Sequence, residues 1–219
     1  MKLKYTGVIF DLDGTLVNTL EDIALAMNLA LKSRGFPELP PEAYIEKVGW
    51  GLNRLAFLAL PEDERKEDTA ALLAFDMLKF YTEKPITHSA PYPGILELIN
   101  TLKGKKIKTA VLTNKQDVVA QKVIAALFQP GSFDYIQGES RGKPRKPDPE
   151  GAWELMISLD LMPASTLFVG DSEVDMETAV AAGCFPLGVS WGYRSKEAIK
   201  KGGARRIIDD PCELLEFFL

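Results

Sequence analysis

The hexapeptide DLDGTL sets two carboxylates, Asp11 and Asp13, two residues apart. On an extended strand that spacing points both side chains to one face. Like charges placed so close repel unless a cation neutralises them or one carboxyl keeps its proton, so the pair suggests a metal, a proton shuttle or both. Gly14 and Thr15 let the chain turn sharply away and leave backbone groups available to a phosphate or a metal. A second acidic pair, Asp171 and Asp175, stands in GDSEVD. Asp171 ends an apolar run and Asp175 lies about one turn into the next helix, which together offer the hard oxygen ligands suited to Mg²⁺. Between the pairs come Thr113–Asn114, a hydroxyl and an amide that could grip phosphate oxygens together with the first N–H groups of a helix. Lys146 follows in RGKPRKPDP, where Pro144 and Pro147 restrict its reach. A lysine near two aspartates would balance charge and hold a phosphoryl group. Taken singly, each piece also has a plainer reading: a turn, a helix cap, a solvated basic loop, an acidic helix N-terminus.

Such groups need strands that end where they stand. Tyr5–Leu12 is an apolar run that stops at Gly14, and further runs at 107–112, 133–136, 166–169 and 186–189, with a weaker one at 206–208, predict buried parallel strands. Between them, apolar residues recur at spacings of three and four over 93–103, 117–128, 149–159 and 173–182, the pattern of helices with one buried stripe. Strand alternating with helix predicts an α/β fold with a doubly wound parallel sheet. The four chemical pieces then all fall at the C-terminal ends of strands, where open α/β sheets bind ligands. From about Asn18 to Lys84 the chain instead reads as successive helices, broken at Gly35–Pro41, Gly49–Gly51 and Pro61. We expect an inserted helical unit over 17–85, with 1–16 and 86–219 forming the core domain and Lys84–Pro93 as the return linker.

The 219 residues suffice for a core domain plus a modest insertion. A formal net charge of -5 gives no electrostatic reason to expect nucleic-acid binding, so an anionic substrate must be attracted locally. Cys184 and Cys212 form neither a CxxC pair nor a His/Cys cluster, which argues against a zinc site or a disulfide framework and for a reducing, cytoplasmic setting. Residues 1–10 hold too short an apolar run for a signal peptide, and no membrane span is expected. His88, the only histidine, falls in the return linker, which argues against phosphatase chemistry with a histidine nucleophile.

The order DxDGT, Thr-Asn after a strand, a lysine in a Pro-rich loop, then GDSxxD resembles the haloacid-dehalogenase superfamily, over essentially the whole chain. The stretches NTLEDIALAMNLAL, VGWGLNRLAFLAL, PYPGILELINTLK, VLTNK and LFVGDSEVDMETAVAAGC followed by WGY are similar to the phosphoglycolate phosphatases within it. The resemblance implies a Rossmann-like core with an inserted small α-helical cap domain that presents a specificity loop, here Val48–Arg54 with Gly51 inside it. It implies Asp11 as the nucleophile that forms an aspartyl-phosphate and Asp13 as the acid and base. Thr113, Asn114 and Lys146 would then stabilise phosphoryl oxygens, and Mg²⁺ would be held by Asp11, the Asp13 backbone carbonyl and Asp171, with Asp175 ordering water or Lys146. Dehalogenases lack a carboxylate at the place of Asp13, so phosphate-ester chemistry is expected. A β-phosphoglucomutase-like enzyme would carry a cap histidine where this chain has Ile23. The implied partner is a small phosphate ester, processed by a monomer or homodimer. A substrate with a carboxylate at its far end needs a cation there, and Arg54, Lys115 and Arg194 are the candidates, with Arg54 favoured. Phosphatases of the same fold for nucleotides, sugar phosphates or pyrophosphate remain the competing readings.

Overall fold

The structure, a computed structural model, describes residues 5–218, so residues 1–4 of the expected core and Leu219 lie outside the described residues. The expected strands form one parallel sheet, with β1 (Gly7–Phe10), β4 (Lys108–Gln116), β5 (Tyr135–Glu139), β6 (Thr166–Gly170), β7 (Phe185–Val189) and β8 (Arg206–Ile208) in the order β5-β4-β1-β6-β7-β8. Burial on both faces explains the near-continuous apolar sequences of β1, β6 and β7, whereas the edge strand β5, expected over 133–136 and found at 135–139, is mostly half-buried or exposed. Val8, Phe10 and Leu12 pack on one side with α4 (Ile95–Gly104) and α5 (Asp117–Leu127), while Ile9, Ala110, Leu112 and Phe168 pack on the other with α6 (Glu150–Ser158) and α7 (Glu173–Ala182). The strand order reverses between β1 and β6, the switch point of a doubly wound sheet, and a crevice opens there beyond the strands' carboxyl ends.

Two features at the ends of the chain's core were not expected from sequence: the short α8 (Lys196–Lys201) and a 3-10 helix at Pro211–Phe218, whose Leu214 and Phe218 are buried in the larger core cluster. Among the described residues no helix is long and apolar enough to cross a membrane, and Cys184 and Cys212 are both free.

Between β1 and α4 lie three helices, α1 (Leu20–Ser33), α2 (Leu52–Ala59) and α3 (Glu67–Glu83), joined by 3-10 turns at Pro41–Tyr44 and Glu62–Glu64. Met27, Leu31, Tyr44, Leu60, Leu73 and Met77 of this stretch are fully buried and belong to the same hydrophobic cluster as the face of the sheet that packs on α4 and α5. The chain leaves the sheet and returns to it through a small antiparallel ribbon, β2 (Val17–Asn18) against β3 (Ala90–Pro91). The return path is fixed by Asp22 of α1, which is 2 % exposed and accepts from the N–H groups of Thr87 (3.0 Å), His88 (3.1 Å) and Ser89 (2.8 Å) and from the Ser89 hydroxyl (2.6 Å). Burial alone would raise the Asp22 pKa, but the bonds from Ser89, Thr87 and His88 outweigh it and hold the carboxyl below its ordinary value. His88 itself turns outward toward Glu21, 3.5 Å away. Asp22→Ala, which would strand those donors, is expected to cost about 2–3 kcal/mol in urea unfolding at neutral pH. Because the folded pKa is depressed, the wild-type advantage over the variant should fade as pH falls below the ordinary carboxylate value of 3.8.

Candidate active site

β1 stops at Phe10, one residue before Asp11, which stays tied to the sheet through its N–H to the Val169 carbonyl at 2.9 Å. The chain then turns at once, with the N–H groups of Thr15, Leu16 and Val17 all directed to the Leu12 carbonyl. Asp11 and Asp13 therefore do not share one face of a strand as the spacing suggested; the tight turn after the strand brings both to the same crevice. Gly14 makes the turn possible, because its φ of 85° is left-handed and a Cβ there would collide with the Asp171 carboxylate.

Asp171 arrives from the end of β6. Its Oδ1 accepts from the Thr15 hydroxyl at 3.2 Å and its Oδ2 from the Tyr193 N–H at 2.7 Å. Asp175 sits in the first turn of α7, locked by a capping box: Ser172 N–H and Oγ donate to Asp175 Oδ2 at 3.1 and 2.6 Å, while Ser172 Oγ accepts from the Asp175 N–H. Its other oxygen lies 2.7 Å from Lys146 Nζ, which is also 2.7 Å from Asp11 Oδ1. The Asp11 contact is close but poorly directed, so it acts by charge, and Asp11 Oδ1 is left without a well-aligned hydrogen-bond donor.

Carboxylate oxygens of Asp11, Asp171 and Asp175, all buried, lie within 4.8 Å of one another. Burial, and after it the neighbouring Asp175 and Asp13, lifts the Asp11 pKa to about 7 against the opposing pull of Lys146. Burial followed by Asp175 and Asp11 lifts Asp171 to about 8. Burial alone would lower the Lys146 pKa, but Asp11 and Asp175 outweigh it and keep the ammonium firmly charged. One lysine thus faces three carboxylates, two of which resist ionisation. The surplus negative charge, the all-oxygen donor set and the undirected Asp11 oxygen fit a hard divalent cation such as Mg²⁺.

The third strand end departs from expectation. β4 does not give way to a helix after Leu112; a register irregularity between Leu112 and Gln116 carries it on, and α5 begins only at Asp117. Thr113 and Asn114 are consequently not at a helix N-terminus. Thr113 is buried beside the cleft and its hydroxyl accepts from the Lys115 N–H at 3.2 Å. Asn114 spends its side chain on the backbone: it accepts from the Lys146 N–H at 2.9 Å and donates to the carbonyls of Lys146 at 3.0 Å and Gly49 at 2.9 Å. Lys115 reaches Asp13 at 2.9 and 3.0 Å and the Tyr81 hydroxyl at 2.8 Å, and Thr19 donates to Asp13 at 2.7 Å.

A cleft lies between this cluster and the helical insertion. Asp11, Asp13, Thr113, Asn114, Lys115 and Lys146 line its floor; Gly51, Leu52, Leu55, Met77 and Tyr81 line its roof. Of the three candidate cations, only Lys115 faces the cleft. Arg54 is exposed, its guanidinium 5.4 Å over the Phe57 ring, and Arg194 is directed to backbone carbonyls at residues 45–48. Sequence reasoning missed Ser172, Thr19, Tyr81 and Tyr193. A signal existed for Ser172, since Ser followed three residues later by Asp is a capping pattern; the others depend on tertiary packing.

Comparison with known proteins agrees with this architecture. The chain matches the family described as haloacid dehalogenase-like hydrolase over residues 8–189. It is 34 % identical to a phosphoglycolate phosphatase of Haemophilus influenzae over 98 % of this chain and 99 % of that protein. With a phosphoglycolate phosphatase of Aquifex aeolicus it shares 33 % identity over 85 % of each chain. A solved structure from Haemophilus somnus, described as a predicted phosphoglycolate phosphatase, superposes with a TM-score of 0.87 at 30 % identity, covering 97 % of both chains. On these matches, and with the carboxylates and the lysine gathered at the switch point of its sheet, the chain belongs to the haloacid dehalogenase-like hydrolase family and is a phosphoric monoester hydrolase.

Proposed function

We propose that the protein hydrolyses a small carboxylate-bearing phosphate monoester, 2-phosphoglycolate, through an aspartyl-phosphate on Asp11 with Mg²⁺ as cofactor. The observation that carries the reading is a buried carboxylate, Asp11, opening on the cleft with Lys146 at 2.7 Å and a second carboxylate, Asp13, on the same wall. Asp11 attacks the phosphorus in line as the ester P–O bond breaks, and Asp13 delivers a proton to the leaving alkoxide. Asp13 then takes a proton from the water that attacks the phosphorus of the acyl phosphate, and the P–O bond to Asp11 breaks. Thr19 and Lys115 set the orientation of Asp13 for both transfers. Lys146 pairs with the phosphoryl oxygens, while Asp175 and Asn114 hold its head and its backbone in place. Asp11, the Asp13 carbonyl and Asp171 would hold Mg²⁺, which supplies charge neutralisation to the phosphoryl group. Helices α1–α3 act as a cap over residues 17–85 that closes this chemistry off from water.

The roof of the cleft favours a compact acid over the competing substrates. Ile23, Val48, Leu52, Leu55, Met77 and Leu78 are apolar, and the polar groups nearest to them are Tyr81 in the roof with Lys115 and Gln116. Sugar or ribose hydroxyls buried there would lose water without finding partners, at about 1–3 kcal/mol each. A single carboxylate matches Lys115. The names of the relatives point the same way. The test is a phosphate-release screen with Mg²⁺ against phosphoglycolate, nucleotides, sugar phosphates and pyrophosphate; phosphoglycolate should lead in kcat/KM by about tenfold or more. Lys115→Met should then lower kcat/KM for phosphoglycolate by about 100-fold, and by about ten times less for 4-nitrophenyl phosphate, which has no carboxylate. A different leading substrate would discard the substrate name, and equal losses on both substrates would discard the role of Lys115.

A further inference from the structure

Arg194 stands apart from the chemistry. It follows β7 and does not line the cleft, yet its side chain is only 6 % exposed. Its Nη1 donates to the Ile45 carbonyl, and its Nη2 donates to the carbonyls of Val48 at 2.7 Å and Glu46 at 3.4 Å. These carbonyls close the turn that follows the Pro41–Tyr44 helix, where the N–H groups of Lys47 and Val48 already point back to Tyr44. Carbonyls at the end of a helical turn lack onward partners and carry partial negative charge, so a guanidinium is well matched to them. Its carboxylate neighbours are looser, Glu173 at 3.7 Å and Glu46 at 3.9 Å, the latter on a largely exposed side chain.

The gripped turn runs directly into Gly49, Gly51 and Leu52, which rim the cleft. On the core side, the residues just before Arg194 are anchored to the reacting elements: Trp191 Nε1 donates to the Thr15 carbonyl at 3.0 Å and the Tyr193 N–H to Asp171 at 2.7 Å. One short segment therefore touches the nucleophile turn, the acidic cluster and the roof of the cleft. We propose that Arg194 is a positioning residue, the latch that holds residues 45–52 of the cap against the core and sets the population of the closed form. Carbonyls suit a latch because water replaces them easily when the roof lifts, whereas the Lys146 pair beneath has no such exchange.

The test is hydrogen exchange on the full chain, wild type against Arg194→Ala and Arg194→Lys, with and without inorganic phosphate, alongside steady-state kinetics on 4-nitrophenyl phosphate. In Arg194→Ala, amides of 45–52 should exchange about tenfold faster while those of β1, β4 and β6 keep their wild-type rates. KM should rise about tenfold with kcat changed less than about threefold, and Arg194→Lys, which keeps the charge but not the fork, should fall between the two. Exchange at 45–52 within about twofold of wild type would overturn the latch. So would acceleration spread equally over the core strands, which would mark an ordinary stability residue, or a fall in kcat at constant KM. The exchange readout holds whatever the substrate proves to be, so it fails independently of the substrate assignment.

Discussion

Asp11→Asn should lower kcat by about 10⁴-fold or more on any phosphate ester the enzyme accepts, since no other described residue can serve as the nucleophile in that position. The same change should stabilise the metal-free protein at alkaline pH. In the folded protein Asp11 titrates at about 7 and Asp171 at about 8, against 3.8 for an ordinary aspartate. The folded state therefore holds protons that the unfolded chain has released, and metal-free stability falls as pH rises from about 4 to about 8. The neutral amide removes one of these two titrations. Its thermal midpoint should fall less steeply across the window and exceed that of the wild type near its upper end. Calorimetry in the presence of a chelator, paired with phosphate-release kinetics, checks both halves; an Asn variant that turns over at a wild-type rate would remove Asp11 from the mechanism.

Lys146→Met is the second large effect, and it acts on stability and rate together. It deletes the one ammonium between Asp11 and Asp175, each 2.7 Å away, and leaves buried carboxylates facing each other. Removing one partner of a buried ion pair costs about 3–5 kcal/mol, and loss of a charge directed at the phosphoryl group costs about 10³-fold in kcat. The stability deficit should shrink as pH falls, because protonation of Asp11 and Asp171 relieves the repulsion that Lys146 had balanced. Urea unfolding at two pH values measures that dependence. A deficit that grows toward acid pH would contradict the assignment of Lys146 as the counter-charge of the cluster.

The sheet was legible because its central strands are buried on both faces and so appear as uninterrupted apolar runs; β6, predicted over 166–169, ends at Gly170, whereas the less buried edge strand β5 lies at 135–139 and not at the predicted 133–136. Asp11, Lys146, Asp171 and Asp175 could be gathered from sequence because the ends of parallel strands converge on one crevice. What failed was local. Thr113–Asn114 looked like a helix start, yet the irregularity in β4 keeps the backbone extended to Gln116, and nothing in VLTNKQ announces it. Arg54 was favoured for the substrate because it ends the expected specificity loop Val48–Arg54, but Leu52 and Leu55, three apart, form the face of α2 that meets the cleft, and Arg54 falls off that face. The apolar spacing contained that answer. Tyr81 had no such signal, since it reaches the cleft only because α3 packs on α1, and Arg194, a candidate for the substrate's far end, instead meets the backbone carbonyls of residues 45–48 because of where the loop after β7 lies.

The central claim is a phosphoryl group carried on Asp11, and it is tested most directly by acid-quenching the enzyme within milliseconds of mixing with Mg²⁺ and phosphoglycolate and mapping protein-bound phosphate by mass spectrometry. The account predicts a phosphoryl adduct on the peptide containing Asp11, formed before free phosphate appears and absent when Mg²⁺ is withheld. Phosphate on another residue, or turnover that proceeds with no protein-bound phosphate at any time, would contradict it.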